Sequence, residues 1–417
     1  MPTAHDGAQW DVERDVERVE RVGLSWPGKT AAARAAHTSA AATLIPAPDA
    51  SLDWNTTGHT IIEGDNLDVL KALRPGLDET VKLIYIDPPY NTGRDVLYPD
   101  RFDHAAWLSM MYPRLTLARE LLRPDGFICV SIGNEELAHL RLLLDEIFGE
   151  ENFVALMVRR AMHTVRNSSK DFNHHADYVL MYARDKASYE GDRRRYLREA
   201  FDKRSKYTKD DGDGRGPYKL DPICARNYNR PYRFVFGNGV EWEAPQGSYP
   251  RYSEATLRRM DGEGRIGFGG KNPMAKRYLA DVQEGRPPDT ILDANKVGFN
   301  RDGTRELRAA LGEDKAFPQP KPVALVRYLI DLVCDRDSLV LDFFAGSGTT
   351  GEAVVRANVA DGGTRRYVLV QIAEPFPSST RFATIADLTR ARMRGVRDLL
   401  RAEGVDVDCG FRAMVSQ

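Results

Sequence analysis

The chain has 417 residues, 42% of them hydrophobic and 29% charged, with a formal net charge of −2. That length exceeds what one core ordinarily needs, so two domains, or one domain with a large insertion, are expected. The balance excludes a disordered chain, and no apolar run approaches the roughly 20 residues that cross a bilayer, so a soluble protein is expected.

The N-terminus carries Asp6, Asp11 and Glu13 and no apolar stretch, which argues against a signal peptide. Residues 1–57 read as an arm with one helix at most. From His59 the pattern sharpens. Thr60-Ile-Ile predicts a strand ending at Gly64-Asp65-Asn66, and Leu67, Leu70 and Leu73 predict a helix closed by Pro75-Gly76. Val81–Ile86 predicts a second strand, stopped by Pro88-Pro89, since proline cannot donate to a sheet ladder. A helix over Trp107–Leu122, a strand over Gly126–Ser131 and a helix over Glu135–Phe148 follow. Strands alternating with helices imply a parallel sheet.

The alternation fades between about Arg160 and Asn300, a polar, Gly/Pro-punctuated stretch that reads as an insertion over 161–304. Within it, Gly191–Met260 holds 16 Lys and Arg, 10 Asp and Glu, and 11 aromatic residues. Basic and aromatic residues together suit a nucleic-acid surface, through phosphate pairing and base stacking. A solvated surface with packed aromatics has the same composition. The alternation returns at Pro322 with a helix to Val333, a strand over Ser338–Phe343, a Gly-rich turn, a helix to Asn358 and a strand over Tyr367–Ile372. An amphipathic helix over Ile385–Arg401 ends the series. The expected divisions are therefore 1–57, 58–160, 161–304, 305–376 and 377–417. Cys129, Cys224, Cys334 and Cys409 are scattered with no Cys-x-x-Cys pair, so neither a disulfide framework nor a zinc site is expected, and a reducing cytoplasm fits.

Two segments carry chemistry. Asp87-Pro88-Pro89-Tyr90 follows a buried-type strand, at the carboxyl end where open α/β sheets place ligands. A rigid turn explains the prolines but not the acid before them or the aromatic after them. An exocyclic amine becomes nucleophilic when acceptors hold its hydrogens. Asp87 offers a carboxylate, Pro88 a carbonyl with no competing N–H, and Pro89 a fixed φ. Tyr90 offers a ring on which a base can stack. The second segment, Asp342-Phe343-Phe344-Ala345-Gly346-Ser347-Gly348-Thr349-Thr350-Gly351, has the order strand, Gly-rich turn, helix. Gly346-x-Gly348-x-x-Gly351 with Glu374 after the next strand also satisfies the dinucleotide fingerprint, so on this segment a Rossmann dehydrogenase competes.

Together the segments resemble the amino-methyltransferase family of DNA-modifying enzymes, with Asp-Pro-Pro-Tyr as catalytic motif and Phe344–Gly348 as the S-adenosylmethionine loop. Asp342 follows Asp87 by 255 positions, and this circularly permuted order resembles the beta class. Ile62–Asn66, Ile84–Gly93, Arg114-Leu115, Ile147–Phe153 and Phe317–Pro322 further resemble the modification subunit of type III restriction systems. This chain is shorter than those subunits usually are, which raises a solitary methyltransferase as the other reading.

The resemblance implies an α/β, Rossmann-like methyltransferase fold with a mostly parallel sheet and a target-recognition domain inserted at 161–304. It implies methyl transfer to adenine N6 in double-stranded DNA after base flipping, in a restriction-modification or related defence system. It places Asp65 at the cofactor adenine, Glu374 at the ribose, and Asp342 with Gly346 and Gly348 at the methionine end, and counts Asn66 and Phe344 among the cofactor-binding residues. Thr349 and Thr350 would cap the helix or bind the cofactor carboxylate, which Lys321 would attract unless it is a solvated loop lysine. Arg193, Arg194, Arg195, Arg226 and Arg230 are the candidate DNA contacts. Double-stranded DNA, a homodimer and a restriction subunit are the implied partners, and a prokaryotic, nucleoid-associated cytoplasmic setting is implied. His174-His175 has no completing acid-and-histidine pattern, so no metal is expected. Cytosine N4 is the alternative target, toward which Asp rather than Ser before Pro-Pro weighs negatively. A dehydrogenase or an inactive DNA-binding relative completes the alternatives.

Overall fold

The computed structural model describes residues 23–93, 100–162, 172–190, 196–199, 204–226, 230–270, 272–282, 285–312, 317–375 and 381–417. The chain divides into two compact units, one made of residues 1–197 with 289–417 and the other of residues 198–288.

The larger unit is built on one ten-stranded sheet. Its strands in chain order are β1 (Leu44–Pro46), β2 (Thr60–Glu63), β3 (Val81–Ile86), β4 (Leu122–Ile132), β5 (Phe153–Arg160), β6 (Ala176–Ala183), β7 (Ile291–Leu292), β8 (Leu339–Asp342), β9 (Arg366–Gln371) and β10 (Arg412–Ser416). Across the sheet they run β1-β10-β2-β9-β8-β3-β4-β6-β5-β7. The six from β10 to β4 pair in parallel. Parallel strands carry helices on both faces, so their sequences read as unbroken apolar runs. Every residue of β3 and β8 is buried. The cost appears at Lys82, wholly buried in β3, whose ammonium pairs with Asp125 at 2.9 Å.

Alternate residues of these strands serve two cores. Ile84, Ile86, Leu341 and Val370 face one packed with helices α1 (Lys29–His37), α2 (Asn66–Leu77), α3 (His104–Leu121) and α4 (Leu137–Phe148). Leu83, Tyr85, Val340 and Leu369 face the other, formed with α6 (Val323–Val333), α7 (Thr349–Asp361) and α8 (Ile385–Ala402). Helix α5 (Asn300–Leu311) packs its Leu307 and Leu311 with Ile385 and Leu388 of α8. Beyond β3 the chain passes through α3 to β4, on one side. Beyond β8 it passes through α7 to β9, on the other. Neighbouring strands whose connections part this way leave a crevice at their carboxyl ends, where Asp87 and Asp342 lie.

Several boundaries differ from expectation. Residues 23–57 are no free arm: Trp26 donates from its indole to Ser109 of α3 at 2.9 Å, and β1 closes one sheet edge. The helix expected to end at Pro75 continues to Leu77. A proline near a helix end removes only one of the last ladder bonds. The C-terminal stretch supplies β10, which inserts between β1 and β2. The compact unit of residues 198–288 is narrower than 161–304, because β6 and β7 pair inside the main sheet.

The smaller unit has a three-stranded antiparallel sheet (Tyr218–Pro222, Met274–Tyr278, Ile266–Gly267), a ribbon of Arg233–Val235 with Glu241–Glu243, and a helix over Glu254–Gly262. Its aromatics are largely inward: Phe234, Phe236 and Trp242 form the core with Leu257 and Ile266.

Candidate active site

Asp87 leaves the end of β3 into a loop held by buried neighbours. The indole of Trp107, fully buried in α3, donates to the Pro89 carbonyl at 2.8 Å. Asn91 adopts a left-handed φ of 60°, which asparagine tolerates better than most residues. Its amide N–H and that of Thr92 donate to Asp100, at 2.7 and 3.1 Å. Its side chain donates to Glu136 at 2.6 Å and accepts from the Phe102 amide at 2.7 Å. Tyr90 packs on Gly133 of the loop after β4, where a β-carbon would stand 2.8 Å from its ring. The backbone beyond Tyr90 is thus fixed by hydrogen bonds, and the ring by packing.

Within this frame, one Asp87 oxygen accepts from the Lys321 ammonium at 2.9 Å. The other is buried and has no hydrogen-bond partner among the described residues, and the same holds for the Tyr90 hydroxyl. The Lys321 ammonium lies 4.7 Å from the centre of the Tyr90 ring. Burial, with Asp177 and Asp87 adding negative charge, holds the Tyr90 phenol well above its ordinary value, so it stays neutral. An acceptor without a donor beside a neutral ring is the arrangement an aromatic amine would complete.

Across the crevice, Asp342 ends β8 fully buried. Its carboxylate accepts from the Thr350 hydroxyl at 2.5 Å and the Phe344 amide at 3.0 Å. Burial outweighs these bonds and, with the Asp87 charge, pushes its carboxyl up to about 7. The glycine turn follows. Gly346 has φ 51° and donates its amide to Gln371 at 2.8 Å. A β-carbon there would meet nothing nearer than the Phe317 ring, at 3.5 Å, so the backbone lies open to a ligand. Asp87, Asp342 and Gly346 line one cleft of about 470 Å³, within the range of small-molecule sites.

The structure places the other predicted residues as follows. Pro88, Pro89, Tyr90, Asp65, Asn66, Phe344, Lys321 and Glu374 all line this cleft. Asp65 caps α2, accepting from the Leu67 amide at 2.8 Å, and pairs with Arg114 at 3.2 Å. Asn66 donates to the Phe343 carbonyl at 2.7 Å, tying α2 to the end of β8. Lys321 is neither solvated nor free, because its charge is committed to Asp87. Thr349 and Thr350 line the cleft as well, but neither caps the helix. Gly348 stands at the N-cap of α7 and no side chain caps the helix. The Thr350 hydroxyl serves Asp342, and that of Thr349 donates to the Lys321 carbonyl at 3.2 Å. Gly348 is absent from the lining. Its φ is 82°, and a β-carbon would stand 3.1 Å from Thr389 of α8, so helix packing explains this glycine.

Arg226 and Arg230 are exposed, whereas Arg193, Arg194 and Arg195 lie outside the described residues. Much of the smaller unit's positive charge is balanced internally, as in Lys276 with Asp211 and Arg215 with Asp213. The histidine pair splits: His174 lines the cleft, while the His175 carbonyl accepts from the Ala161 amide at 2.7 Å.

Sequence reading missed the residues that hold the site from behind. Arg392, fully buried in α8, pairs with Glu352 at 3.0 Å and donates to the Ser347 and Thr349 hydroxyls at 3.0 and 2.8 Å. It lies some forty residues beyond the turn it secures, and nothing but its place on the apolar face of an amphipathic helix marks it. Glu136 and His139, spaced three apart at the start of α4, are the one part of this support that the sequence spacing itself displays.

A model of the DNA methylase family, N6/N4 type, matches residues 81–374. The chain is 32% identical to the type III restriction-modification enzyme StyLTI Mod subunit of Salmonella typhimurium, over 93% of this chain and 65% of that protein. It is 30% identical to the EcoP15I Mod subunit of Escherichia coli, over 85% and 64%. Against the type II methyltransferase M.KpnI of Klebsiella pneumoniae it is 28% identical, over 82% and 89%. The chain therefore spans a little under two thirds of the length of the two Mod subunits. The matched stretch contains both the Asp87 loop and the Gly346 turn, and the chain belongs to the DNA methylase family.

Proposed function

We propose that this chain transfers a methyl group from S-adenosylmethionine to N6 of adenine in double-stranded DNA. One observation carries the reading: a buried Asp87 oxygen without a donor shares a cleft with the open backbone of Gly346. The target base is stacked inside a duplex, so it must rotate out before its amine can enter.

The chain's own residues fit the cofactor. Gly346 leaves room against the backbone, and Asp342, Phe344, Asp65 and Glu374 line the same walls. When bound, the cofactor supplies an electrophilic methyl on a sulfonium sulfur. Tyr90 receives the flipped ring on its face. The Asp87 oxygen and the Pro88 carbonyl accept the two amine hydrogens, which turns the nitrogen lone pair toward the methyl. As the N–C bond forms and the C–S bond breaks, positive charge gathers on nitrogen, the Asp87 carboxylate stabilises it, and one of the amine protons then leaves to solvent, giving the neutral N6-methyl product. Lys321 holds one oxygen of that carboxylate and leaves the other without a donor among the described residues. The leaving thioether is neutral, so a Lewis acid is not needed for its departure.

We further infer that the inserted stretch within 161–304, with Arg226 and Arg230 exposed upon it, contributes to target recognition. Pairing with a restriction subunit and homodimerisation belong to the same reading, as does a cytoplasmic setting. Among the described residues no helix is long and apolar enough to cross a membrane. Cytosine N4 is the second reading, because the same acceptors would hold its amine. Asp87 before Pro-Pro favours adenine. The test is incubation of duplex DNA with the chain and methyl-labelled cofactor, followed by mass spectrometry of the nucleosides. N6-methyladenine supports the proposal, N4-methylcytosine replaces it with the second reading, and no labelled nucleoside refutes both.

A further inference from the structure

Behind the Asp87 loop lies a cluster that the methyl-transfer reading does not use. Glu136, at the N-cap of α4, has a wholly buried carboxylate. One oxygen contacts Nδ1 of His104 at 2.7 Å, and the other contacts Nδ1 of His139, also at 2.7 Å. The first oxygen also accepts from Asn91. The two imidazole centres are 4.6 Å apart, and the three potential ligand atoms lie within 4.8 Å of one another.

A buried carboxylate needs a compensating positive charge, from a paired cation or a metal. Among the described residues, its ion-pair partners are these two histidines and no lysine or arginine. Imidazole is not a permanent cation. The donor set of two histidine nitrogens and one carboxylate is that of open, three-ligand sites for borderline divalent metals. Metal–ligand distances of about 2.1 Å set ligand atoms roughly 3.4 Å apart in a tetrahedron, so each histidine nitrogen, now 2.7 Å from the carboxylate, needs to draw back by only about 0.7 Å. Access is available, because the His104 side chain is 63% exposed.

We propose that His104, Glu136 and His139 form a binding site for a divalent cation of the zinc class, with its open position toward solvent. The cation would set a fixed positive charge beside the buried carboxylate. It would also anchor Asn91, the residue after Tyr90, through the Glu136 oxygen that Asn91 already contacts. The site would therefore stiffen the loop that presents Asp87, without touching the reacting atoms.

The test reads metal binding and not methyl transfer, so its outcome is independent of the proposed activity. Full-length protein stripped with a chelator is titrated with Zn²⁺ by calorimetry. The expected result is one saturable equivalent per chain, weakened by about 100-fold or more in His104→Ala, because loss of a direct ligand exceeds the 10- to 100-fold cost of losing a group that only orients one. His37→Ala, altering an exposed histidine on α1, should bind as the wild type does. His139→Gln guards against a folding artefact. Loading with Co²⁺ should give a visible ligand-field spectrum in wild type that His139→Gln loses while its circular dichroism is retained. Absence of stoichiometric binding to the wild type, or binding unchanged in both variants, overturns the proposal and leaves the cluster as a hydrogen-bonded knot.

Discussion

Asp342→Asn should remove a pH dependence of stability that the wild-type protein owes to one buried carboxyl. The group lies in the cleft wall, 2% exposed. Burial is the main force raising it from an ordinary 3.8 to about 7, and the Asp87 charge adds to it. The folded chain therefore holds this proton more tightly than the unfolded chain does. The resulting stability is complete below the unfolded value and is lost as pH rises toward the folded value. At about 1.4 kcal/mol per unit, the linkage contributes roughly 3 kcal/mol near pH 5, about 1.4 near pH 6 and almost nothing near pH 8. Asparagine does not titrate; its amide oxygen keeps the bond from the Phe344 amide, and its NH2 donates instead to the Thr350 hydroxyl. Equilibrium urea unfolding of both proteins, followed by circular dichroism, measures the difference. Wild type minus variant should shrink by about 2 to 3 kcal/mol between about pH 5 and pH 8. A difference constant to within about 0.5 kcal/mol over that range would refute the account of Asp342 as a strained, proton-binding carboxyl.

Gly133→Ala places a β-carbon 2.8 Å from the Tyr90 ring. It should lower the single-turnover methylation rate by about tenfold or more, since small misplacements of a positioned group are costly. Cofactor affinity by calorimetry should change little. Trp107→Phe removes the bond to the Pro89 carbonyl. It should cost about 1 to 3 kcal/mol in urea unfolding and reduce kcat more than it alters the KM for DNA. Arg392→Leu strips one of two partners from Glu352, whose side chain is 3% exposed and keeps Arg356 at 2.9 Å, and also removes the bonds to Ser347 and Thr349. About 3 to 5 kcal/mol of stability should be lost, and adding Glu352→Gln should recover part of it, as denaturation of the double variant would reveal.

The central sheet was legible because parallel strands buried on both faces cannot hide their composition. Val81–Ile86 and the Leu339–Asp342 strand are near-continuous apolar runs ending in proline or glycine turns. The Asp87 and Gly346 segments were legible for a related reason: each needs specific residue types in a row. The strand Arg412–Ser416 was missed because its pattern is short and its partner is Thr60–Glu63, some 350 positions earlier. The composition of the inserted stretch fits a stacking surface and packed rings alike, and Phe234, Phe236 and Trp242 build the small unit's core. Composition records how many rings a segment has and not which way they face. Lys321 was ambiguous for the same reason, since its contact with Asp87 crosses from one motif to another, 234 positions away.

The central claim concerns one oxygen of Asp87. The most direct measurement is the single-turnover rate of methyl transfer by Asp87→Ala, with the duplex-DNA dissociation constant determined in parallel. Losing the acceptor and the charge that stabilises the developing ammonium should slow transfer by at least about 100-fold. DNA affinity should stay within about threefold of wild type, because the change removes one contact to the flipped base and leaves the phosphate contacts that supply most of the affinity. A folded Asp87→Ala variant that transfers methyl groups at a rate close to wild type would contradict the account.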